Sequence, residues 1–352
     1  MKTSDFEYNL PPEYIAQSPI EPRDHSRLLV VDRRGESVSH HSFFELPGFL
    51  NKGDVLVFND SRVLPARLTG RKEGTGGKVE VLLLRRLQPG IWESLVKPAK
   101  SLRAGSVIEF SGIRDKNTGR GTGVSKVPVM TGEVIESVAE GMKIIHLSDE
   151  NYLDELGVIP LPPYIKKTLE NPELYQTVYA RVNGSVAAPT VGLHFTPRLL
   201  KDLEEKGIEI LFTTLHIGLD TFRPVGEEEP EHHVIHREFG AVTETTALAL
   251  NRAMFEGRRI IAIGTTTVRI LEALAVKKMP LEAWQGDVDL FILPGYQFRV
   301  VNAMITNFHL PRSTLLMLVS AFTGMEFTRR AYKEAIVQKY RFYSFGDAML
   351  IL

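Results

Sequence analysis

The sequence contains no cysteine among its 352 residues. Disulfides, thiolate nucleophiles, Cys-ligated zinc and Cys-held iron–sulfur clusters are excluded together. A reducing compartment is compatible with that absence, and a cytoplasmic location is the expectation. Net charge is also missing. The 42 Lys and Arg stand against 43 Asp and Glu, a formal balance of -1. A uniformly basic nucleic-acid coat is excluded, but a local basic patch is not, because the balance says nothing of distribution. Long apolar runs are absent as well. The longest, residues 315–322, falls far short of the roughly 20 residues that span a bilayer. The opening MKTSDFEYNLPPEYIA has no apolar h-region, so no secretory leader is expected. What remains is 43% apolar, 24% charged and 9% aromatic, which suits a soluble globular chain and excludes a mainly disordered one. At roughly 100–200 residues per domain, the length suggests two or three domains.

RLLVVD (27–32) and the stretch 36–44 flank Arg33-Arg34-Gly35 and read as a strand, a turn and a second extended segment. DVLVF (54–58) reads as a buried strand running into the polar turn Asn59-Asp60-Ser61-Arg62. From residue 67 onward the texture changes. KVEVLLLRR, IWESLVKP, SVIEF, KVPVM, EVIES and MKIIHL follow one another across Gly-rich turns without a helical period. These runs predict a small all-β, barrel-like domain inserted at 67–150. Beyond it helices and strands alternate. Thr196 and Pro197 supply an N-cap and a first-turn proline for a helix to about Lys206, with Gly207 as its stop. A strand follows through IEILFTTLHIG, a helix at 243–255, and a buried strand RIIAI at 259–263. Helices are expected again in VRILEALA, at 313–322 and at 328–339. The alternation predicts an α/β main domain with a mixed sheet, formed by 1–66 and 151–352.

Four features carry chemistry. Gly264-Thr265-Thr266-Thr267 stands between a strand and a helix. A helix start offers free N–H groups and positive dipole character, suited to a carboxylate, phosphate or ribose. An ordinary capped strand–helix turn has the same residues, and the glycine spacing matches neither GxGxxG nor a P-loop. His232, His233 and His236, followed by Glu238, resemble a metal cluster, but the pattern is not HExxH and a solvent-facing loop fits equally well. His194, His216 and His309 each stand where an apolar segment meets a turn with Gly or Pro, and Asp220 and Arg223 follow His216. Arginines recur at turns, among them Arg23, Arg27, Arg62, Arg181 and Arg312, where phosphates can be held or ordinary surface ion pairs made. No GxSxG surrounds any serine, so a hydrolase triad is not indicated. On these residues alone, a metal-dependent hydrolase at His232, His233 and His236 and a non-catalytic RNA-binding module using the β insertion remain open.

Longer strings narrow the choice. They are LPPEYIAQSPIEPRDHSRLLVVDR (10–33), VFNDSRVLPARL (57–68), GVIPLPPYI (157–165) and YQTVYARVNGSVAAPTVGLHFTP (175–197). LHIGLDTFRPV (215–225), IGTTTVRILEAL (263–274), TNFHLPRSTLLMLVSAF (306–322) and YRFYSFGDAMLIL (340–352) follow in order. Together they resemble the S-adenosylmethionine:tRNA ribosyltransferase-isomerases of queuosine biosynthesis, over essentially the whole chain. The resemblance implies transfer and isomerisation of the ribosyl moiety of S-adenosylmethionine, a co-substrate, with no permanently bound cofactor and no metal. The acceptor it implies is 7-aminomethyl-7-deazaguanine at the wobble position of a tRNA anticodon stem-loop. The products are epoxyqueuosine-tRNA, adenine and methionine, and the enzyme is expected to be a monomer with no membrane partner. In that chemistry a base takes a proton from C5′ beside the sulfonium, adenine departs, the amine attacks C1′, and an epoxide closes as methionine leaves.

Carried onto this sequence, the resemblance makes His194 the first choice for acid/base work, with His216 and His309 as alternates and Asp220 as a carboxylate partner. Thr265, Thr266 and Thr267 are expected to hold the methionine carboxylate or ribose hydroxyls, assisted by Arg269. Arg23, Arg27, Arg62, Arg181 and Arg312 are expected to meet tRNA, and Phe195, Phe222 and Phe308 to stack on a base. Two places depart from the family. Val191 stands where a small residue is expected and is predicted to narrow a pocket. Residues 114–129 align with nothing in the pattern.

Overall fold

Three short runs, VLVFN, IIAI and AMITN, are apolar almost to their last residue. Such runs suit strands covered on both faces, which belong in parallel layers. The computed structural model describes residues 1–113, 126–139, 141–218, 224–235 and 237–352, and it places these three runs side by side. Val55–Asn59, Ile260–Ile263 and Ala303–Asn307 are parallel neighbours and buried throughout. Glu209–Leu215 continues the parallel set, with Phe212 opposite Phe58. Glu238–Val242 and Trp284–Val288 extend that side in antiparallel fashion. On the other side Ala348–Ile351 runs antiparallel to Ala303–Asn307, then pairs in parallel with Arg27–Asp32, which carries Ser37–Ser42 at the edge. The result is a nine-stranded mixed sheet.

Leu28, Phe43, Leu56, Phe58, Phe195 and Ile305 belong to one apolar cluster of this sheet. The helix Thr265–Lys277 packs on five of its strands. Every residue from Thr265 to Ala275 is buried, and a helix buried all round must satisfy any charge it carries. It carries two. Arg269 pairs with buried Glu238. Glu272 accepts the N–H groups of Arg299, Val300 and Val301 at 2.9–3.0 Å. The helix 197–205 is capped as its sequence predicts, with Leu199 N–H on Thr196 Oγ1 at 3.2 Å.

The chain divides into two compact units. One is 1–62 with 162–182 and 188–352, and the other is 63–161 with 183–187. The second is an all-antiparallel barrel. Its strands run Arg67–Lys72, Lys78–Gln88, Ile91–Lys97, Met142–Leu147, Lys126–Ala139 and Val107–Ile113. The last pairs back on the first, with Arg71 opposite Glu109 and Lys72 opposite Ile108. An α/β main domain with a mixed sheet and an inserted barrel is therefore present. The barrel begins at Val63 rather than 67 and extends to 161 rather than 150. Backbone pairing accounts for this: Leu83 N–H donates to Ala66 O at 2.9 Å, and Gly157–Val158 pairs with Leu68 and Arg67.

Closure depends on Gly70. A Cβ there would stand 2.7 Å from Ile108 Cγ2 and 2.8 Å from the Glu109 carbonyl. Gly70→Ala should destabilise the barrel by about 1–3 kcal/mol, the usual cost of overpacking. Gly48→Ala, whose new carbon meets nothing within 4 Å, should be close to neutral. Urea unfolding followed through Trp92, buried in the barrel, measures both. Equal midpoints for the two variants would contradict this account of closure.

Candidate active site

Parallel strands deliver their polar residues to one edge, and open α/β sheets bind ligands outside the carboxyl ends of their strands. Here the carboxyl ends of Ile260–Ile263 and Ala303–Asn307 open into a cleft lined by Thr265, Thr266, Thr306, Asn307 and His309. Gly264 joins strand to helix at φ +94, a conformation that L side chains resist. Its N–H donates to Ile305 O at 2.8 Å. No side chain caps the helix that begins at Thr265, so the first N–H groups have no partner within it. Thr265 and Thr266 line the cleft, and neither hydroxyl has a hydrogen-bond partner among the described residues. Thr267 differs, because its hydroxyl donates to Ile263 O at 2.8 Å. Val191 also lines the cleft, its Cγ1 3.3 Å from where a Cβ of Gly264 would stand. It occupies the cleft beside the helix start.

The next strand end supplies TNFH. His309 lines the cleft. Its Nε2 meets Thr306 Oγ1 at 2.7 Å, and Nδ1 has no partner among the described residues. The main chain around it is tied, since His309 N–H donates to the Tyr332 hydroxyl at 3.0 Å and its carbonyl accepts from Tyr8. Burial pushes the His309 pKa down to about 3, so the imidazole is neutral near pH 7. Asn307 lines the same cleft. Thr190 Oγ1 donates to its Oδ1 at 2.9 Å, and its amide faces His194 Nε2 at 3.3 Å. His194 Nδ1 in turn meets Ser26 Oγ at 2.6 Å. An amide N–H on Nε2 leaves the imidazole proton on Nδ1, donated to Ser26. Burial, and then the Arg341 charge, lowers the His194 pKa to about 3. His194 borders a small separate cavity with Arg23, Ser26 and Ser344, not the cleft.

Tyr164, Tyr343 and Ser344 complete the wall. The Tyr164 hydroxyl meets Ser344 Oγ at 2.7 Å, and the Tyr164 and Tyr343 rings lie 4.8 Å apart. Tyr343 holds φ +69. Among the described residues, no side chain lining the cleft carries a formal charge once His309 is neutral.

The other expected site residues lie elsewhere. Arg269 is committed to Glu238 and to Leu290 O and does not line the cleft. His216 stacks on Phe239, its pKa lowered by burial, while its neighbour Ile217 does line the cleft. Asp220, Phe222, Arg223 and His236 lie outside the described residues. Arg23 donates to Gln176 O and Glu173 O. Arg27 donates to Gln338 O and stacks on Tyr340. Arg62 pairs with Glu173, Arg181 with buried Asp60, and Arg312 with Glu7 at 3.8 Å. Phe195 packs between Phe43 and Phe58 in the core. Phe308 is buried against Phe342 and also borders the cleft. His232 and His233 pair with Glu229 and Glu227, and no group of three metal-ligating residues occurs among the described residues. No helix among them is long and apolar enough to cross a membrane. Sequence alone does not single out Thr190, Thr306, Asn307, Tyr164, Tyr343 or Ser344. Thr306 and Asn307 do carry a signal, as polar residues closing an otherwise apolar strand.

Residues 3–351 match the profile of a family described as queuosine biosynthesis protein. A curated relative from Dehalococcoides mccartyi, named S-adenosylmethionine:tRNA ribosyltransferase-isomerase, is 53% identical over the full length of both chains. One of the same name from Thermus thermophilus is 51% identical over 99% of this chain and 98% of its own. A crystal structure of an S-adenosylmethionine tRNA ribosyltransferase from Thermotoga maritima matches 99% of this chain and 100% of its own, at 37% identity and a TM-score of 0.56. A nine-stranded mixed sheet, an inserted closed barrel and full-length identity near one half together place this chain in the S-adenosylmethionine:tRNA ribosyltransferase-isomerase family of queuosine biosynthesis.

Proposed function

We propose that this chain transfers and isomerises the ribosyl moiety of S-adenosylmethionine onto 7-aminomethyl-7-deazaguanine at the wobble position of a tRNA. Epoxyqueuosine-tRNA, adenine and methionine are the products. The observation that carries this reading is a cleft in which an uncapped helix start and a neutral imidazole stand together without any formally charged side chain among the described residues. S-adenosylmethionine brings both a carboxylate and a fixed positive charge. The carboxylate suits the free N–H groups and the hydroxyls of Thr265 and Thr266. The sulfonium meets no repelling cation among the described residues, and Tyr164 and Tyr343 line the cleft where they can meet it or the purine.

The sulfonium acidifies the C5′–H, and a positioned base must take that proton. His309 is the base in this reading. Burial keeps it unprotonated before the reaction, and the proton it takes up passes on to departing adenine. Thr306 fixes the ring through Nε2, leaving Nδ1 for the transfer. His194 has both nitrogens occupied by Ser26 and Asn307 and acts as a positioning residue for the Asn307 wall. The amine then attacks C1′, and the epoxide closes as methionine leaves.

The direct test mixes the protein with S-adenosylmethionine and an anticodon stem-loop carrying the aminomethyl-deazaguanine. Adenine and methionine should appear together, only with the modified RNA. No adenine release, with or without added metal, would overturn the reading. His309→Asn should lower kcat by about 10²–10⁴, the range for general acid–base catalysis, with the KM for S-adenosylmethionine little changed. Thr265→Val with Thr266→Val should act chiefly on that KM. Full kcat in His309→Asn would remove His309 from proton transfer.

The buried histidines also set a pH dependence of folding. Both His194 and His309 have folded pKa values near 3, below the ordinary 6.5. The unfolded chain therefore binds more protons between these limits, and stability falls as pH drops from 6.5 toward 3. Each histidine contributes a slope of up to about 1.4 kcal/mol per pH unit in that window. His194→Gln should lose one such contribution relative to the parent. Urea midpoints on either side of the histidine range measure the difference, and identical slopes would show that His194 titrates normally.

A further inference from the structure

The larger unit spends its candidate RNA-binding arginines internally: Arg23, Arg27, Arg62, Arg181 and Arg312 each hold a carboxylate or a carbonyl. The barrel does the same with part of its charge, pairing Arg67 with Glu80, Arg85 with Glu93 and Arg86 with Glu150. One end of the barrel is different. Arg71 and Lys72 close the first strand, Lys78 opens the second opposite Arg71, and Lys97 closes the third. Lys100 and Arg103 follow in the connection to Val107–Ile113. The register brings these segments together. Lys97 stands opposite Glu80, two residues beyond Lys78, and Lys72 Nζ donates to Ser101 O at 2.6 Å. None of the six cations forms an ion pair with any described residue, and all but Lys72 are exposed. Arg71 and Lys72 donate to the carbonyls of Gly76 and Ser101, so Lys78, Lys97, Lys100 and Arg103 are the four that hold neither a carboxylate nor a carbonyl among the described residues. Glu73, the carboxylate next to them in sequence, pairs with none.

The connection that presents Lys100 and Arg103 is held in place. Leu102 is buried, its N–H donates to Ala99 O at 3.2 Å, Arg103 N–H donates to Ser106 Oγ at 3.0 Å, and Gly105 N–H donates to Val134 O at 2.8 Å. In a chain of net charge -1, six cations at one barrel end, against the cross-strand carboxylates Glu80 and Glu109, are a local excess of positive charge. Neither the turn 73–77 nor the connection 98–106 contains an aromatic residue to stack on a base. Cations without stacking platforms suit a phosphate backbone rather than base edges.

We propose that this end of the barrel binds the phosphate backbone of the RNA substrate, independently of its sequence. The inference rests on the tRNA substrate named under Proposed function. Its test uses the full chain with Lys97→Gln, Lys100→Gln and Arg103→Gln combined, and reads affinity for unmodified tRNA by anisotropy across a salt series. The variant should bind at least about tenfold more weakly at low salt. Its plot of log affinity against log salt should be shallower by roughly 0.7–0.9 for each phosphate that is no longer neutralised. The charge-keeping variant Lys97→Arg with Lys100→Arg and Arg103→Lys should bind as the parent does, which separates charge from folding. A glutamine variant with the parent's affinity and slope would overturn the inference while leaving the reaction intact. A parent that neither binds tRNA nor releases adenine with the modified stem-loop would overturn the substrate reading and this inference together. Displacement of tRNA by polyglutamate at equal charge, as readily as by tRNA itself, would assign the surface to an acidic polypeptide instead.

Discussion

Burial on both faces of three parallel strands governs where polar chemistry sits in the larger unit. A polar group left unpaired among Val55–Asn59, Ile260–Ile263 and Ala303–Asn307 would cost about 1–3 kcal/mol. Polar side chains therefore gather at the strand ends, and most are satisfied there. Asn59 holds both the N–H and the carbonyl of Leu215. Asn307 is bound by Thr190 and faces His194. The groups left over are those that no local partner reaches: the first N–H groups of the Thr265 helix and two hydroxyls beside them. The cleft stands where these groups and His309 Nδ1 are left unpaired.

The same burial decides which charges can act on a ligand. Arg269 stands one turn inside the helix and looks, by position, like an anion clamp. Its burial requires a counter-charge, and Glu238 supplies it. Glu272 is consumed by three backbone N–H groups. Once buried charge is neutralised in this way, the cleft is left with dipoles, hydroxyls, rings and a neutral imidazole. His194 and His309 share a depressed pKa, but only His309 keeps a nitrogen without a partner at the cleft.

Much of this is legible locally. The barrel announces itself through short β-rich runs, and the helix at 197–205 through Thr196, Pro197 and Gly207, because strand alternation and capping are decided within a few residues. The Gly264 turn is legible for the same reason. Which threonines face the cleft is not, since that depends on the helix beginning at Thr265 itself and turning Thr267 onto Ile263 O. The strand Ala348–Ile351 escapes a reading by pattern because four residues carry little periodicity. Its place between Ala303–Asn307 and Arg27–Asp32 is a matter of distant pairing. The motif around His194 singles that residue out without revealing what it does. Its partners Ser26 and Asn307 lie 168 and 113 residues away, and only folding reveals that they leave it no free nitrogen. The arginines at turns are not free cations for a similar reason, since their carboxylates and carbonyls are contributed by remote segments.

Under the proposed reaction the chain itself needs little power to activate a carbon centre. The sulfonium of the co-substrate already acidifies the adjacent carbon, and a charged residue at the site would work against it. A lysine or arginine would repel the sulfonium, while a carboxylate would hold it tightly in the ground state and raise the barrier for the step that consumes its charge. Oriented dipoles and a neutral base avoid both costs, because they need no reorganisation as charge moves from sulfur to the departing purine. The barrel end faces the opposite requirement. An RNA backbone is a dense, hydrated polyanion, best met by exposed cations that release its counterions. Buried neutrality in one unit and exposed positive charge in the other are two answers to two substrates of opposite sign, made by a chain whose total charge is nearly zero.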